Sequence, residues 1–455
     1  MRTTRALLLL ASAALFFVAV HRAATFPFVY DESMSYSILT WNPEWRGDAN
    51  HHPLNTLLMQ AAARALGTSE LALRTGSLLA CVLYLACTLL VLKRLEHPAL
   101  QLAGFGLLAL NPFVLDFFSL ARGYGLALAF EMLSLYFLIR AFEEGGPKYV
   151  VLAVAAGAMA VYSNYAFLNF FLPLLAVTVW LMRRHARQAV ALYAASGAFL
   201  IAIGWTIAGL HAEGRFYFGG RTGFLRDSVV SLVRASLYRA SYAEAAEWIV
   251  VAIVVILFNI LLLLAFRREV TLLTLLIVTL TAAILLPALE HVLLGFRFPL
   301  DRAALAYIPP FALALSFGLQ SAVRRARWLL ALPILIAVAL TAHYTATFDP
   351  STNYLWAYDA HDDEAMDLIA QDRERAFPGR TVRVGASWML EPSLNFYRVT
   401  RNYAWMPLVP RQPFHNGGFD YVYAFEQDLA DVPPGPRVTL ASFPDTKTVL
   451  LRFKE

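Results

Sequence analysis

Long apolar runs broken by short charged connections occupy residues 1–347 of this chain, and a different pattern takes over after them. A membrane-spanning helix needs about 20 mostly apolar residues. Eleven such stretches are predicted, near 7–27, 71–92, 99–118, 123–141, 149–165, 166–182, 189–210, 248–266, 270–292, 303–321 and 328–347. The least marked division lies around Tyr162–Tyr165, where the apolar character barely breaks. The first 20 residues imitate a signal peptide, with Arg2 and Arg5 ahead of an apolar stretch from Ala6 to Val20. The expectation is a retained helix running through Phe28.

Two connections are long, about 28–70 and 211–247, and rich in aromatic, charged and histidine residues. Within the first, Leu54 to Leu66 carries apolar residues at helical spacing on one face, with Pro53 suited to the first turn. An amphipathic helix lying in the membrane interface is expected there. Phe224 to Tyr238 repeats the pattern, with Arg226, Arg234 and Arg239 available for anionic groups. After Phe348, Asp362–Phe377 and Glu391–Arg398 read as helices. Thr381–Ala386, Tyr421–Phe425, Val438–Phe443 and Thr448–Phe453 read as short strands. The expected organisation is a polytopic α-helical domain over 1–347 and a small soluble α/β domain over 348–455. The second carries no nucleotide-binding fingerprint.

Composition sharpens this division. Only 15% of the chain is charged and 59% is hydrophobic, against about 25% charged in soluble proteins. Residues 348–455 hold 15 acidic and 11 basic side chains, whereas the preceding 347 residues hold 17 and 26. The overall net charge of +5 therefore belongs to the lipid-embedded part and does not indicate nucleic-acid binding. Its basic residues set topology. Lys93–Arg94, Arg140 with Lys148, Arg183–Arg184 with Arg187, Arg267–Arg268, and Arg324–Arg325 with Arg327 fall on every second connection. The positive-inside rule assigns these, and the N-terminus, to the cytoplasm. With eleven spans the C-terminal domain lies outside, in the periplasmic or extracellular space. Cys81 and Cys87 fall in one apolar run and imply no disulfide framework.

Chemistry is suggested by charges that topology does not explain. Tyr30-Asp31-Glu32 follows the first span directly, and adjacent carboxylates beside hydrocarbon are costly unless solvated, paired or functional. A helix cap near Ser33 is the competing account. Other polar groups fall on the same external face: His51-His52-Pro53, Asp116, Ser119-Leu-Ala-Arg122-Gly-Tyr124, and Arg297-Phe-Pro-Leu-Asp301-Arg302. Arg122, Arg297 and Arg302 run against the positive-inside rule. A phosphate at the interface explains them, since guanidinium stays charged and binds phosphate oxygens bidentately. Elsewhere, Glu70 and Arg74 are expected to form an i,i+4 pair. Asp362-Asp363-Glu364 reads as a solvated helix N-terminus. Trp388, Tyr397, Trp405 and His415 are read as packing residues with a possible acceptor contact.

These motifs together resemble a GT-C-fold glycosyltransferase of family 39, the protein O-mannosyltransferase and aminoarabinose-transferase-like group. The resemblance rests on Tyr30-Asp31-Glu32, His52-Pro53-Leu54, Ala121-Arg122-Gly123-Tyr124, and Arg297…Pro299…Asp301-Arg302…Tyr307-Ile-Pro-Pro310. It covers roughly residues 1–345 and implies the GT-C fold. It also implies a polyprenyl-phosphate-linked sugar donor and transfer with inversion to an acceptor (glycolipid, surface glycan or protein) outside the plasma membrane. It implies neither a cofactor nor a metal. Glycosyl transfer needs a base for the attacking hydroxyl and cations for the departing phosphate. Asp31 is accordingly expected as the base or acceptor-orienting carboxylate, with Glu32 second. Arg122 and Arg302 are expected to hold the lipid phosphate, supported by Arg297 and His52. Asp116, His51, Tyr124 and Tyr307 are weaker substrate-binding candidates. A lipid or polysaccharide flippase is the alternative, although the inverted repeats and midplane charges of transporters are not visible in the sequence. A receptor or scaffold, in which Asp31 would be dispensable, is a third.

Overall fold

The computed structural model of the chain describes residues 2–48, 50–215, 218–265 and 270–453, with the backbone alone at Arg46. Arg267–Arg268, one of the expected topological signals, lies outside the described residues. In chain order the first helices are α1 (Arg2–Thr25), α2 (Tyr30–Ser37), α3 (Pro53–Leu66), α4 (Glu70–Leu73) and α5 (Thr75–Leu92). Next come α6 (Pro98–Ala109), α7 (Pro112–Asp116), α8 (Gly123–Glu144), α9 (Pro147–Ser163), α10 (Leu168–Met182) and α11 (Ala186–Ala212). The membrane part closes with α12 (Ser231–Ser236), α13 (Ala243–Ala265), α14 (Leu272–Leu294), α15 (Ile308–Arg325) and α16 (Ala331–Thr347). The C-terminal helices are α17 (Asp362–Ala376) and α18 (Glu391–Thr400). Among the described residues nine helices are long and apolar enough to cross a membrane, and α6 and α9 are shorter apolar helices at two further expected positions.

The expected third span, 99–118, is two helices. Pro112 lacks an N–H and excludes the α conformation from the residue before it. Asn111 uses that break as a cap, accepting from the N–H groups of Phe113 at 3.0 Å and Val114 at 3.4 Å. Asp116 therefore sits on the short α7 rather than at the end of a span. The interfacial helix α3 starts at Pro53 as expected. The segment expected to repeat it is a π-turn stretch, Leu225–Val230, continuing into α12.

The chain folds as two compact units. The first comprises Met1–Val20, Gly47–Asn55 and Gly76–Phe348; the second comprises His21–Arg46, Thr56–Thr75 and Asp349–Glu455. In the first, α8 and α9 form an antiparallel hairpin. Gly145 and Gly146 turn the chain with φ of +74° and +85°, conformations open to glycine, and Pro147 starts α9. Ser134 on α8 donates to the Ala153 carbonyl at 2.8 Å. At the far end of this hairpin from Arg122, Arg94 pairs with Glu143 at 2.9 Å and Arg140 with Glu144 at 2.5 Å. Thus three of the residues expected to mark the cytoplasmic face, Arg94, Arg140 and Arg324 (bound to Glu96), meet acids.

The second unit is built on a four-stranded sheet: β1 (Val384–Ala386), β2 (Tyr421–Phe425), β3 (Arg437–Phe443) and β4 (Thr448–Phe453), in the order β1-β2-β4-β3. β1 and β2 are parallel and the other pairs antiparallel. Val422, Ala424, Val449 and Leu451 pack with Phe414 and Phe419 in its core. Residues 21–46 and 56–75 belong to this unit through a buried guanidinium. Arg74 donates to the carbonyls of Ala23, Phe26 and Pro27 at 3.1, 2.7 and 2.7 Å, and to both oxygens of Glu32 at 2.8 and 2.6 Å. Neither side chain of the ion pair is exposed. The expected Glu70–Arg74 pair is thus replaced by Glu32–Arg74, because Arg74 ends α4 and turns toward the carbonyls that α1 leaves without intrahelical donors.

Removing one partner of a fully buried ion pair costs about 3–5 kcal/mol. Arg74→Met is expected to lower the unfolding temperature of the detergent-solubilised protein markedly. Glu32→Leu added to Arg74→Met should recover part of that loss, because no buried charge is then left alone.

Candidate active site

Sequence places the expected phosphate-binding residues on separate segments, and the first unit brings most of them together. Arg122 precedes α8 in an extended conformation (φ −129°, ψ 150°) and is 1% exposed. Its guanidinium donates to the Asn50 side-chain oxygen at 2.6 Å and the Asn50 carbonyl at 3.3 Å. Asn55, one turn into α3, donates to the Ala121 carbonyl at 2.7 Å and so fixes the His51–Asn55 segment against the same turn.

Gly123 explains why the turn can be this tight. A Cβ there would lie 2.0 Å from the Ser163 carbonyl oxygen and 2.8 Å from the Cβ and Cγ of His52. The motif's glycine is therefore the point where α8, the end of α9 and the start of α3 cross. Tyr124 packs edge-on against the His52 ring at 5.0 Å and lies tilted against Phe117 at 4.8 Å. His52 is 3% exposed. Burial pushes its imidazole well below the usual histidine range, and the positive charges of Arg122, His51 and Arg302 push it further. Arg122, Arg302, His51 and His52 thus act on one another across the connections that precede α8, α3 and α15.

Arg302 opens a 3₁₀ turn, Asp301–Tyr307, and its guanidinium stands 4.9 Å over the Phe218 ring. Asp301 adopts φ +39°, an unusual value for a residue with a side chain. Its N–H is held by the Ser231 hydroxyl at 2.8 Å. The preceding segment is pinned by an antiparallel bridge between Gly220 and Phe298, and Ser228 donates to the Pro299 carbonyl at 2.6 Å. Arg297 lies on this bridge, its Cβ within 2.7 Å of where a Gly219 Cβ would stand. It is half-buried, and its charge is not among those that lower His52 most.

Tyr307 closes the same 3₁₀ turn and opens onto an apolar cavity of about 660 Å³. Leu232, Val254, Phe258, Leu280 and Phe311 line it, and Asn111, Ser236, Tyr242 and His343 supply its polar groups. Tyr242 and His343 are joined at 2.6 Å, and Asn111 donates to Ser236 at 2.9 Å.

Asp116 is tied to the stretch that follows α12. Both its oxygens accept from the Tyr238 hydroxyl, at 2.7 and 3.0 Å, with both residues buried. Sequence reading missed Tyr238 and Asn50, which give no local signal. It also missed Glu131 on α8, fully buried, with neither oxygen hydrogen-bonded among the described residues. A lone acid within the 123–141 apolar run is a signal of function that the sequence did contain.

The two expected catalytic carboxylates belong to the second unit and part ways. Asp31 and Glu32 fall in the first turn of α2. Glu32 is committed to Arg74 and to its own helix, one oxygen accepting from the Val29 N–H at 3.1 Å. Asp31 is 3% exposed. Among the described residues no group of three or more His, Cys, Asp or Glu is arranged to hold a metal ion.

Residues 50–207 match the family model described as dolichyl-phosphate-mannose-protein mannosyltransferase. The structure superimposes on ArnT from Cupriavidus metallidurans in the apo state with a TM-score of 0.60 at 13% identity, covering 98% of this chain and 97% of that one. The same enzyme bound to undecaprenyl phosphate gives 0.58 at 13% identity, with the same coverage. The fold is that of the GT-C glycosyltransferases. No curated protein matches the chain by sequence. With this fold and its apolar helices the chain is a multi-pass membrane protein, and the GT-C fold is the one that the resemblance of its motifs implied.

His52 is expected to stay neutral as pH falls through about 6.5, the ordinary histidine value, and to protonate only well below it. Histidine-selective NMR of the solubilised protein measures this directly. Arg302→Gln should raise the midpoint by removing the repulsion from that guanidinium.

Proposed function

We propose that this GT-C glycosyltransferase moves a sugar from a polyprenyl-phosphate donor to an extracytoplasmic acceptor, with inversion at the anomeric carbon. The observation that carries the reading is the gathering of Arg122, Arg302, His51 and His52 at one end of α8, with Arg302 on the 3₁₀ turn that leads into the apolar cavity. Buried guanidiniums suit a phosphate, and a cavity lined by Leu, Val and Phe suits a prenyl chain. ArnT, whose fold this chain shares, binds undecaprenyl phosphate, and the matching family is named for a dolichyl-phosphate sugar. Both are lipids of this chemical type.

In the reaction an acceptor hydroxyl oxygen attacks the anomeric carbon as the bond from that carbon to the phosphate oxygen breaks. Asp31 takes the hydroxyl proton, and the negative charge gathering on the lipid phosphate is met by Arg122 and Arg302. Arg297, Asp116, Tyr124 and Tyr307 complete the substrate-binding set. Glu32 supports Asp31 by fixing α2 through Arg74, which replaces its expected direct role. The membrane is the plasma membrane, with the N-terminus cytoplasmic and residues 348–455 forming an external domain. That orientation follows from the positive-inside rule, and the pairing of Arg94, Arg140 and Arg324 with acids on the opposite side from Arg122 supports it.

Membranes carrying the protein, supplied with a radiolabelled polyprenyl-phosphate hexose or pentose, test this. Asp31→Asn is expected to lower transfer to endogenous acceptors by about 10²–10⁴-fold, the usual worth of a positioned base. Arg122→Ala and Arg302→Ala should act mainly through weaker use of the donor. Undiminished transfer by Asp31→Asn would overturn the assignment.

A further inference from the structure

The segment that carries Asp31 is held by groups more than 300 residues away in sequence. α2 begins at Tyr30, and the first N–H groups of a helix have no partner within it. Val29, at the N-cap, has no side-chain oxygen to offer. Three acceptors supply what is missing. Glu32 takes the Val29 N–H at 3.1 Å, the Tyr397 hydroxyl takes the Phe28 N–H at 2.8 Å, and Asp359 takes the Tyr30 N–H through Oδ2 at 2.7 Å. Phe28 also stacks on Phe396 at 4.0 Å, and Arg411 donates to the Tyr30 hydroxyl at 2.6 Å. All these residues belong to the second unit.

Asp359 is not alone at its position. It is fully buried, as is Asp362 at the start of α17, and the two carboxyls face each other within hydrogen-bonding reach. Neither the second oxygen of Asp359 nor either oxygen of Asp362 has a donor among the described residues, apart from what a proton between the two would provide. The groups that face the pair are the Tyr30 N–H, Asp31, Asp363, Ser393 and Tyr423. Two of these, Asp31 and Asp363, are carboxyls and disfavour a second negative charge. Burial, with the neighbouring carboxylates adding to it, holds both carboxyls well above the usual range.

We infer that Asp359 is the positioning residue for Asp31: together with Asp362 it forms a carboxyl pair that shares a single proton, and in that state it anchors the Tyr30 N–H and sets α2 in place. The inference rests on the proposed reading of Asp31 as the base. One carboxyl donates to the other, leaving Oδ2 of Asp359 free to accept from the helix. Loss of the shared proton puts two negative charges in a space closed to water, and they separate. The sign follows from linkage. The folded pair keeps a proton that the unfolded chain loses near the ordinary carboxylate value, so the arrangement is favoured at low pH and weakens as pH rises toward the raised value.

Hydrogen exchange of the full-length protein in lipid nanodiscs tests this without any substrate. After correction for intrinsic exchange, amides of residues 28–37 should exchange up to about tenfold faster for each pH unit between the ordinary carboxylate value and the raised value of the pair, and level off above it, while amides of α5 do not follow. Asp359→Asn offers an oxygen to Tyr30 and an N–H to Asp362 with no proton to lose. It should keep residues 28–37 protected and abolish their pH dependence, and transfer should lose any matching alkaline decline. Asp359→Ala should expose residues 28–37 at every pH. An Asp359→Asn protein with the wild-type pH dependence overturns the inference, even if Asp359→Ala fails to fold. So does a folded Asp359→Ala protein with normal protection at residues 28–37. Transfer that survives Asp31→Asn would remove the catalytic reading but leave these exchange outcomes as they stand.

Discussion

A helix that ends beside hydrocarbon leaves its last carbonyls without donors, and in this chain one arginine answers for them. Arg74 binds three carbonyls at the end of α1 and both oxygens of Glu32, with no exposure of either side chain. A guanidinium has five N–H donors in a rigid fork, enough to serve a helix end and a carboxylate at once. Glu32 completes the arrangement by returning to the Val29 N–H, so the same carboxylate closes α1 through Arg74 and opens α2 directly. The four residues between these helices are thereby fixed, and Asp31 is placed one residue from the pair. Such a charge pair gains little against an apolar substitute of the same volume. What it supplies is a unique geometry for the turn.

The first unit gathers positive groups at one end of α8. Arg122 donates to Asn50, and His52 is held against two arginines. Keeping His52 neutral limits the repulsion, since a third charge in the same place would be expensive. The tightness of the crossing at Gly123 shows that the cluster is not a loose surface patch. The chain gives up a side chain there so that His52 and the end of α9 can approach the turn bearing Arg122.

Much of the fold could be read from apolar run length, because hydrocarbon thickness sets a threshold that sequence either meets or does not. The interfacial helix at Pro53, the strands at Tyr421–Phe425 and Thr448–Phe453, and the helix beginning at Asp362 were equally plain, since each depends on local periodicity. The break at Asn111-Pro112 was also written locally, but run length hid it. The site was legible only in part. Arginines on the unexpected side of the membrane pointed to Arg122 and Arg302, whereas Asn50 beside Arg122 gave no signal. Glu70 and Glu32 are equally good partners for Arg74 by chemistry. The choice between them depends on where the end of α1 returns, which is tertiary information.

The misreading of Asp362-Asp363-Glu364 as a solvated helix start has the same origin and a wider consequence. Acids in the first turn of a helix are stabilised by its dipole whether or not water reaches them, so composition alone cannot separate a surface cap from a buried pair. Burial of Asp362 beside Asp359 arises because residues 21–46 fold into the unit that contains the C-terminal sheet. A soluble domain cut at residue 348 would leave Asp359, Tyr397 and Arg411 without the N–H and hydroxyl groups they now hold, and the Phe396 ring without Phe28. The C-terminal segment is therefore better understood as one half of a unit whose other half begins at the end of the first span. On that view the tail fixes the turn before Asp31, through bonds that no local stretch of sequence displays.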